Sequence, residues 1–292
     1  MKTAFIFPGQ GSQFVGMGKD LAEKYLDQAN AVLGFDLKQL CFAGPEEELK
    51  RTEITQPAIL TVSIAVYELL KSRGFPLPSA VAGHSLGEYS ALVAAGAILF
   101  TDAVKIVHLR GKFMQEAVPL GTGSMMAILG SEKKIIEEIC LQVGEVWPAN
   151  YNTAGQIVIS GNKEKVELAG EKLKSAGAKR IVPLQVSAPF HCPLMQPAAD
   201  KLKAELDKIN FNDPQIPVVA NVTADFVTRG SEIKELLIRQ VTSPVRWEES
   251  VKKLVAENYS TFIEVGPGKV LAGLVKTIER NVETKSYTEV MA

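Results

Sequence analysis

The feature that most constrains this chain is an apolar stretch that stops at a serine framed by glycines, in residues 81–88 (VAGHSLGE). Ser85, with Gly83 and Gly87 two positions away on either side, matches the G-x-S-x-G pattern of a nucleophile elbow. That pattern requires a strand, a sharp turn and a helix, and side chains beside the serine would clash with the packed strand and helix. The same pattern also occurs by chance in ordinary strand-to-helix turns. Taken alone, it leaves a functional and a structural role for Ser85 equally open.

Apolar periodicity predicts strands and helices that alternate before and after this turn. The predicted strands cover residues 4–7, 79–82, 218–222 and 261–265. One predicted helix begins near Gly18, and the others cover residues 56–70, 86–97, 101–117, 194–209, 231–240, 248–257 and 270–280. Strands separated by helices favour a parallel sheet that is covered on both faces, so we predict an α/β fold.

The middle of the chain follows a different pattern. Its predicted elements are, in order, a strand at 124–129, a helix at 131–143, strands at 146–149 and 157–160, a helix at 163–176 and a strand at 179–186. The order β-α-β-β-α-β is typical of a ferredoxin-like unit. We therefore predict a small domain over residues 123–188, inserted into a large domain formed by residues 1–122 and 189–292.

Composition narrows the classes of protein that this chain can belong to. The formal net charge of -1 gives no global reason to expect binding to nucleic acid or to a membrane surface. No apolar run approaches the length of a membrane span, and the apolar part of the N-terminus is too short for a signal peptide. The three cysteines lie far apart without metal-ligand spacing, which fits a reducing compartment. We therefore expect a cytoplasmic protein.

A serine hydroxyl needs a base within hydrogen-bond reach before it can act as a nucleophile, and the chain has three histidines. His84 adjoins Ser85, and the tight turn is expected to point its ring elsewhere. His108 lies in a predicted helix among apolar neighbours. His191 lies in an irregular stretch between prolines, so it is the best candidate base by elimination. Cys192 raises a Cys-His alternative, although adjacent side chains rarely meet productively.

Arg110 is the second anomaly, because it falls inside the apolar stripe of the helix predicted over 101–117. The stripe consists of Ala103, Val107, Met114 and Ala117. A buried guanidinium requires an anion. That anion could be a carboxylate of the protein, the side chain could instead reach outward to solvent, or the guanidinium could await a substrate carboxylate. The spacing alone favours a salt bridge within the protein or a side chain that reaches solvent over a substrate carboxylate.

Two glycine-rich loops and one glycosylation sequon are not expected to have a function. Residues 9–14 and 266–271 each lack the third glycine of a dinucleotide-binding loop, and neither matches a P-loop. Nucleotide-dependent chemistry by these motifs is therefore not expected. Asn221 begins a glycosylation sequon, which is an accident of sequence in a cytoplasmic protein.

Several separated segments together resemble the malonyl-CoA:acyl carrier protein transacylases, the acyltransferases of fatty acid synthesis, over essentially the whole chain. The segments are 7–13 (FPGQGSQ), 83–88 (GHSLGE), 109–111 (LRG), Asn152 with 155–156, 189–191 (PFH), 221–222, Gln240 with 244–247 (PVRW), and 264–268 (EVGPG). Their number and order make the resemblance far more specific than the serine motif alone.

The resemblance implies a covalent mechanism. Ser85 would attack the malonyl thioester and carry the malonyl group. His191 would take the serine proton and return it to the leaving thiol, and would act as base again when the carrier thiol attacks. The backbone N–H groups of Gln10 and Leu86 would form the oxyanion hole.

The resemblance also implies four residues that bind the substrate or shape its site. Arg110 would bind the malonyl carboxylate, which reverses the interpretation that spacing alone favours. A backbone carbonyl near Gln240 would orient His191, so no acidic partner is required. Phe190 would disfavour a branched methylmalonyl group by its bulk, and Asn152 would contact the substrate.

The family has an α/β-hydrolase-like core with a parallel sheet and an inserted ferredoxin-like domain, and its active site lies between them. Malonyl-CoA and acyl carrier protein are the implied partners. No cofactor or metal is implied, because the partner protein carries the phosphopantetheine, and the chain is expected to be a monomer. A basic rim that meets an acidic carrier protein would draw on Lys179, Arg180, Lys269 and Lys276.

Three other functions compete with malonyl transfer to the carrier protein of fatty acid synthesis. A serine esterase or thioesterase would use the same elbow and histidine without needing Arg110, Gln10 or Gln240. A noncatalytic carrier-binding protein would not need Ser85 or His191. An acyltransferase that serves a polyketide synthase in trans would keep the chemistry and change the carrier protein.

Overall fold

The computed structural model of the chain describes residues 2–186 and 188–292. Met1 and Ser187, which fall within the predicted domain ranges, lie outside the described residues. The strands are β1 (Lys2–Phe7), β2 (Ala80–Gly83), β3 (Gly123–Leu129), β4 (Val146–Thr153), β5 (Gln156–Asn162), β6 (Arg180–Pro183), β7 (Val218–Val219), β8 (Phe226–Val227), β9 (Tyr259–Glu264) and β10 (Glu283–Ser286).

The helices surround two separate sheets. They are α1 (Glu23–Leu33), α2 (Leu37–Ala43), α3 (Glu46–Leu49), α4 (Thr52–Ser72), α5 (Gly87–Ala94), α6 (Phe100–Glu116), α7 (Lys133–Val143), α8 (Lys163–Ser175), α9 (Gln196–Leu206), α10 (Gly230–Thr242), α11 (Trp247–Ala256), α12 (Val270–Ile278) and α13 (Tyr287–Met291). A single 3-10 turn at Pro193–Met195 leads into α9. Among the helices of the described ranges, none combines the length and hydrophobicity that crossing a bilayer requires.

The larger sheet has the strand order β10-β9-β1-β2-β7-β8, and only the pair β7–β8 is antiparallel. Alternate residues of β1 pack on opposite faces. Phe5 and Phe7 join the core cluster that contains α4 and α6, whereas Ala4 and Ile6 join the cluster around Trp247. A strand buried on both faces is typical of a parallel sheet between helices, which confirms the predicted α/β fold. The loops that follow β1, β2 and β7 meet at one edge of this sheet, where ligand sites of α/β folds form.

The smaller sheet is antiparallel and has the order β4-β5-β3-β6, which is the ferredoxin-like order. On one face, Ile157 and Ile159 of β5 pack with residues of α7 and α8. Between them in sequence, Val158 points the other way and joins the core of the larger unit. The two-residue alternation of a strand thus packs the small sheet between its own helices and the large core. The predicted domain boundaries at 122/123 and 188/189 stay a prediction.

The long helix α4 begins at Thr52 and not at the predicted Gln56-Pro57, so that Pro57 lies inside it. A proline in a helix has no N–H to donate to the carbonyl four residues earlier. That carbonyl, on Glu53, instead lies 2.8 Å from Nδ1 of His108 on α6. The helix therefore continues through Pro57 because a side chain from a neighbouring helix supplies the missing donor. His108 is half-buried in this structural contact, as its apolar neighbours predicted.

Other differences from the sequence-based prediction lie in short elements. The helix expected near Gly18 begins at Glu23, because Gly18 adopts a left-handed φ of 75° that ends regular structure there. The strand expected over 218–222 stops at Val219, where the chain turns toward the site described below. Periodicity did not indicate the short elements α2, α3, β8, β10 and α13, since each spans too few residues to establish a period.

Candidate active site

Ser85 occupies a strained turn between β2 and α5. Its φ of 53° lies in the left-handed region, which non-glycine residues adopt rarely. The flanking glycines are required by close backbone contacts. A Cβ on Gly83 would lie 1.9 Å from the carbonyl carbon of Gly87, and a Cβ on Gly87 would lie 2.1 Å from the carbonyl oxygen of Phe7. The glycines therefore allow α5 to start directly against β1 and β2.

Asn221 holds this turn in place. Its Oδ1 accepts a hydrogen bond of 2.7 Å from the backbone N–H of Ser85, and its Nδ2 donates one of 2.7 Å to the carbonyl of Gly83. The side chain is almost fully buried, so these bonds are not exchanged for water. Sequence reasoning placed this residue in one segment of the family resemblance but gave it no role, and took its sequon for an accident. The available signal was a polar residue two positions after a buried strand of the parallel sheet.

Ser85 and His191, which are 106 residues apart, meet at hydrogen-bond distance, with Oγ 2.7 Å from Nε2. The other ring nitrogen, Nδ1, lies 2.9 Å from the carbonyl oxygen of Gln240. A carbonyl only accepts, so Nδ1 carries the proton and Nε2 is left to accept the serine proton. Burial, together with the charge of Arg110, lowers the pKa of His191 to about 3. The imidazole is therefore a neutral base at neutral pH.

Arg110 is 1% exposed, as its place in the apolar stripe predicts. Its three hydrogen bonds go to neutral groups: Gln56 Oε1 at 2.7 Å, Gln240 Oε1 at 3.0 Å and Ser85 Oγ at 3.1 Å. Neither alternative that spacing favoured occurs: residues 2–186 and 188–292 show no salt bridge to Arg110, and its burial excludes a side chain that reaches solvent. Burial lowers the pKa of Arg110 from its ordinary value. The buried acid Glu88 acts on the guanidinium by its charge but forms no hydrogen bond with it, so no directly bonded anion occupies the donors of Arg110 in the described residues.

One cavity joins these three groups. Ser85, His191 and Arg110 all line it, and most of the remaining wall is apolar. The apolar wall residues are Leu86, Met114, Met125, Leu184, Val186 and Phe190. A pocket with apolar sides, one cation and one nucleophile suits a short acyl group that ends in a carboxylate.

Gln10 and Leu86 line the same cavity from two loops. Gln10 follows β1, and Leu86 immediately follows Ser85 at the start of α5. Neither backbone N–H donates a hydrogen bond to another residue that the structure describes. Two donors from separate loops beside the nucleophile are the arrangement that an oxyanion hole requires, and that role stays a prediction.

Asn152 lies away from the serine. Its Oδ1 is 2.9 Å from Nε2 of His84, and both side chains line a neighbouring cavity that does not include Ser85. His84 also lines the cavity of Ser85, but its ring packs 5.8 Å from that of Trp247 and is engaged by Asn152, so it is not hydrogen-bonded to the serine hydroxyl. Asn150, two residues before Asn152 in β4, lines the cavity of Ser85 instead. The substrate contact expected of Asn152 stays a prediction.

Cys192 does not form the alternative nucleophile. Its Sγ donates to the carbonyl of Pro189 at 3.1 Å, and burial raises its pKa to about 11. A thiol with that pKa remains protonated and unreactive at neutral pH. All three cysteines are free and buried, and the described residues hold no group of three His, Cys, Asp or Glu side chains placed to bind a metal ion.

The four basic side chains expected at the rim are all exposed. Lys276 is already engaged, since its Nζ donates to the carbonyls of Arg280 and Val282 at 2.9 Å. Lys179 packs its stem against Gly130. Contact of this rim with a carrier protein stays a prediction.

Comparison with known proteins identifies the family. A sequence model of the acyl transferase domain matches residues 4–291. The malonyl CoA-acyl carrier protein transacylase of Bacillus subtilis strain 168 is 54% identical over 99% of this chain and 94% of its own length. The chain belongs to the malonyl CoA-acyl carrier protein transacylase family. It is therefore an acyltransferase, as the resemblance of its motifs implied.

Solved structures of this family share the fold. An acyl carrier protein S-malonyltransferase from Vibrio cholerae O1 is 47% identical, with a TM-score of 0.97 and complete coverage of both chains. A malonyl-transacylase in complex with its type II polyketide synthase acyl-carrier protein is 47% identical, with a TM-score of 0.95, over 98% of this chain and 95% of its own. The α/β core with a separate antiparallel sheet is therefore the fold of the family.

Proposed function

We propose that this protein transfers a malonyl group from malonyl-CoA to the phosphopantetheine thiol of acyl carrier protein in fatty acid biosynthesis. One observation carries the proposal. The Oγ atom of Ser85 lies 2.7 Å from the nitrogen of a neutral base, His191, and 3.1 Å from the guanidinium of Arg110. A nucleophile beside both a base and a buried cation fits an acyl group that is itself an anion.

In the first half-reaction, Nε2 of His191 takes the hydroxyl proton while Oγ of Ser85 attacks the thioester carbonyl. The oxygen that gains negative charge is stabilised by the N–H groups of Gln10 and Leu86, and each such donor contributes roughly 3 kcal/mol in a site that excludes water. The C–S bond then breaks, and the protonated His191 returns the proton to the CoA thiolate. The product is an ester of malonate with Ser85.

Throughout, Arg110 holds the far carboxylate of the malonyl group. The carboxylate replaces part of the neutral acceptor set and forms charge-assisted hydrogen bonds, which are stronger than the bonds they replace. Phe190 closes the apolar wall beside His191 and leaves little room for a branch on the α-carbon. Selection therefore depends on charge at one end of the acyl group and on shape at its middle.

The second half-reaction runs in reverse with a different thiol. Phosphopantetheine on the carrier protein gives its proton to Nε2 of His191 and attacks the ester carbonyl, and Ser85 leaves with that proton. Arg110 keeps the malonyl ester of Ser85 oriented until the carrier protein binds. No electron transfer or metal is involved in these steps, so we propose that the reaction needs no cofactor. The three free, buried cysteines support a cytoplasmic location.

A second candidate differs only in the carrier protein. The malonyl-transacylase whose structure contains a type II polyketide synthase carrier protein is as similar to this chain as the Vibrio protein. Rates with carrier proteins of the two kinds would separate the pathways. An esterase is less consistent with the site, because a neutral ester would leave the buried Arg110 without a hydrogen-bonded anion.

Intact-mass spectrometry tests the proposal directly. Mixing the protein with malonyl-CoA should add one malonyl group, and addition of holo carrier protein should remove it and malonylate the carrier. The matched control is Ser85→Ala, which should fold and remain unacylated. Rapid hydrolysis of neutral esters with no malonyl adduct would indicate an esterase. An adduct that persists in Ser85→Ala would place the nucleophile elsewhere.

A further inference from the structure

Glu88 is a buried acid that the proposed chemistry does not use. It lies in the first turn of α5, three residues after the nucleophile, and is 3% exposed. Its Oε2 accepts two hydrogen bonds, one of 2.7 Å from Nε2 of Gln240 and one of 3.0 Å from the backbone N–H of Asn221. An acid side chain is costly to bury, so its retention beside the site calls for a specific contact.

The partner of Glu88, Gln240, is the residue on which the site converges. Its backbone carbonyl accepts from Nδ1 of His191 at 2.9 Å, and its side-chain Oε1 accepts from Arg110 at 3.0 Å. Its Nε2 also donates to the backbone carbonyl of Ser85 at 3.0 Å. One glutamine thus contacts the base, the cation and the turn that carries the nucleophile.

The orientation of the Gln240 amide is decided by its neighbours. With Nε2 toward Glu88, the amide N–H groups donate to Glu88 and to the Ser85 carbonyl, and the amide oxygen accepts a hydrogen bond from Arg110. The flipped amide would set its oxygen against the oxygens of Glu88 and Ser85 and its NH₂ against the guanidinium. Every one of those contacts is unfavourable as long as Oε2 carries no proton, and the backbone N–H of Asn221, which also donates to Oε2, leaves any proton on the other oxygen of Glu88. Glu88 supplies the shortest of the contacts that exclude the flipped state.

We propose that Glu88 is a positioning residue, which fixes the Gln240 amide so that its oxygen holds Arg110 for the carboxylate of the acyl group. The proposal rests on the proposed malonyl transfer. It requires only an acceptor oxygen at Oε2, which both the carboxylate and the protonated acid provide. Burial raises the pKa of Glu88 to about 7, so both forms occur near neutral pH, and the contact to Gln240 is available in each.

The test compares substrates, because a structural defect lowers the rates with both and leaves their ratio unchanged. The ratio of kcat/KM for malonyl-CoA to kcat/KM for acetyl-CoA, measured on one preparation, does not depend on the fraction of folded enzyme. Glu88→Met keeps the length of the side chain and removes the acceptor. We expect the ratio to fall by about tenfold, as for the loss of one hydrogen bond that positions Arg110. Glu88→Gln, which retains an acceptor oxygen, should keep the ratio within about twofold of the original.

A double-mutant cycle identifies the route of the effect. If Glu88 acts through Gln240, then Gln240→Met should lower the ratio, and the double variant should be no worse than Gln240→Met alone. Glu264→Met is the matched control, because Glu264 is also fully buried but accepts from the N–H of Ala272 on α12 instead. Its ratio should be unchanged.

Three results would overturn the proposal. The first is a malonyl-to-acetyl ratio in Glu88→Met equal to that of the unmodified enzyme. The second is a fold-decrease in the double variant equal to the product of the fold-decreases in Glu88→Met and Gln240→Met. The third is a ratio in Glu88→Gln that falls as far as in Glu88→Met. Should Glu88→Met not fold, a normal ratio in Gln240→Met would refute it equally, since Gln240 would then not hold Arg110. Failure of the proposed function has a different signature, because the unmodified enzyme would then form no malonyl adduct at all.

Discussion

Replacing Arg110 by alanine gives the most informative test of the acyl pocket. The guanidinium is buried beside Ser85 and has only neutral acceptors in the protein. Without it, the malonyl carboxylate would enter an apolar cavity with no cation to receive it. An acetyl group has no carboxylate and loses nothing directly. The substitution should therefore act on the preference for malonyl-CoA over acetyl-CoA.

The size of the effect follows from the hydrogen bonds that the guanidinium can give. Hydrogen bonds to charged groups contribute about 1.5–3 kcal/mol each, so two of them contribute about 3 kcal/mol at the low end. Since each 1.4 kcal/mol is tenfold, the malonyl-to-acetyl preference should fall by roughly 150-fold or more. Arg110→Lys should recover only part of it, because an ammonium cannot reproduce the planar fork.

The assay is the initial rate of Ser85 acylation, followed by rapid quench and intact-mass spectrometry with each substrate in turn. Loss of Arg110 also frees the amide oxygens of Gln56 and Gln240, which lowers stability. The ratio of the malonyl-CoA rate to the acetyl-CoA rate does not depend on that loss of stability, because both rates fall with the fraction of folded protein. Arg246→Ala provides the matched control, since that guanidinium pairs with Glu249 outside the cavity.

An unchanged preference in Arg110→Ala would refute the reasoning, because the carboxylate would then be bound elsewhere. A rise in the pKa of His191 should accompany the loss of selectivity, since the Arg110 charge helps to lower it. In Arg110→Ala, the rate of acetyl transfer should consequently decline at a higher pH than in the unmodified enzyme.

Three further predictions concern the base, the elbow and the long helix. Because the pKa of His191 is lowered to about 3, its unprotonated form is lost only as the pH falls through that value. The acylation rate measured against pH should therefore keep more than half its plateau value at pH 6.5. A pH–rate profile with its midpoint near 6.5 would contradict the burial argument. Asn221→Ala should slow acylation by about tenfold or more in stopped-flow measurements, because Ser85 loses its backbone clamp, and an unaltered rate would show that the turn holds itself. His108→Phe should lower the free energy of unfolding in urea by about 1–3 kcal/mol, since the carbonyl freed by Pro57 loses its donor, whereas unchanged stability would mean that this carbonyl is satisfied otherwise.

Local sequence determined much of this protein. The glycines at 83 and 87 predicted the turn at Ser85, because backbone segments that approach so closely exclude any Cβ. The spacing around Arg110 predicted its burial, since helical periodicity alone decides which face turns inward. Alternation of strands and helices indicated the α/β class, and elimination among three histidines selected His191. Each of these conclusions depends on a residue and its near neighbours in the chain.

Partners distant in sequence required the tertiary structure. Arg110 donates a hydrogen bond to Gln240, which is 130 residues away in the chain, and Asn221 accepts one from the Ser85 backbone across 136 residues. Spacing favoured an internal salt bridge or a solvent-reaching side chain for Arg110. Both were wrong, because periodicity indicates the buried face and not the chemistry of the group opposite. For the same reason, periodicity did not predict the contacts of Asn221 and Glu88, since asparagine is common in surface loops and glutamate at the starts of helices.

What the sequence by itself determined is a glycine-framed serine in a strand-to-helix turn of an α/β scaffold and, through the motifs, the family. What only the tertiary structure decided is how the serine, base and cation share one glutamine. The physical reason is that secondary structure is specified by repeating local patterns, whereas a site forms where loops from separate strands meet at one edge of a sheet. No local period encodes which polar groups face each other there.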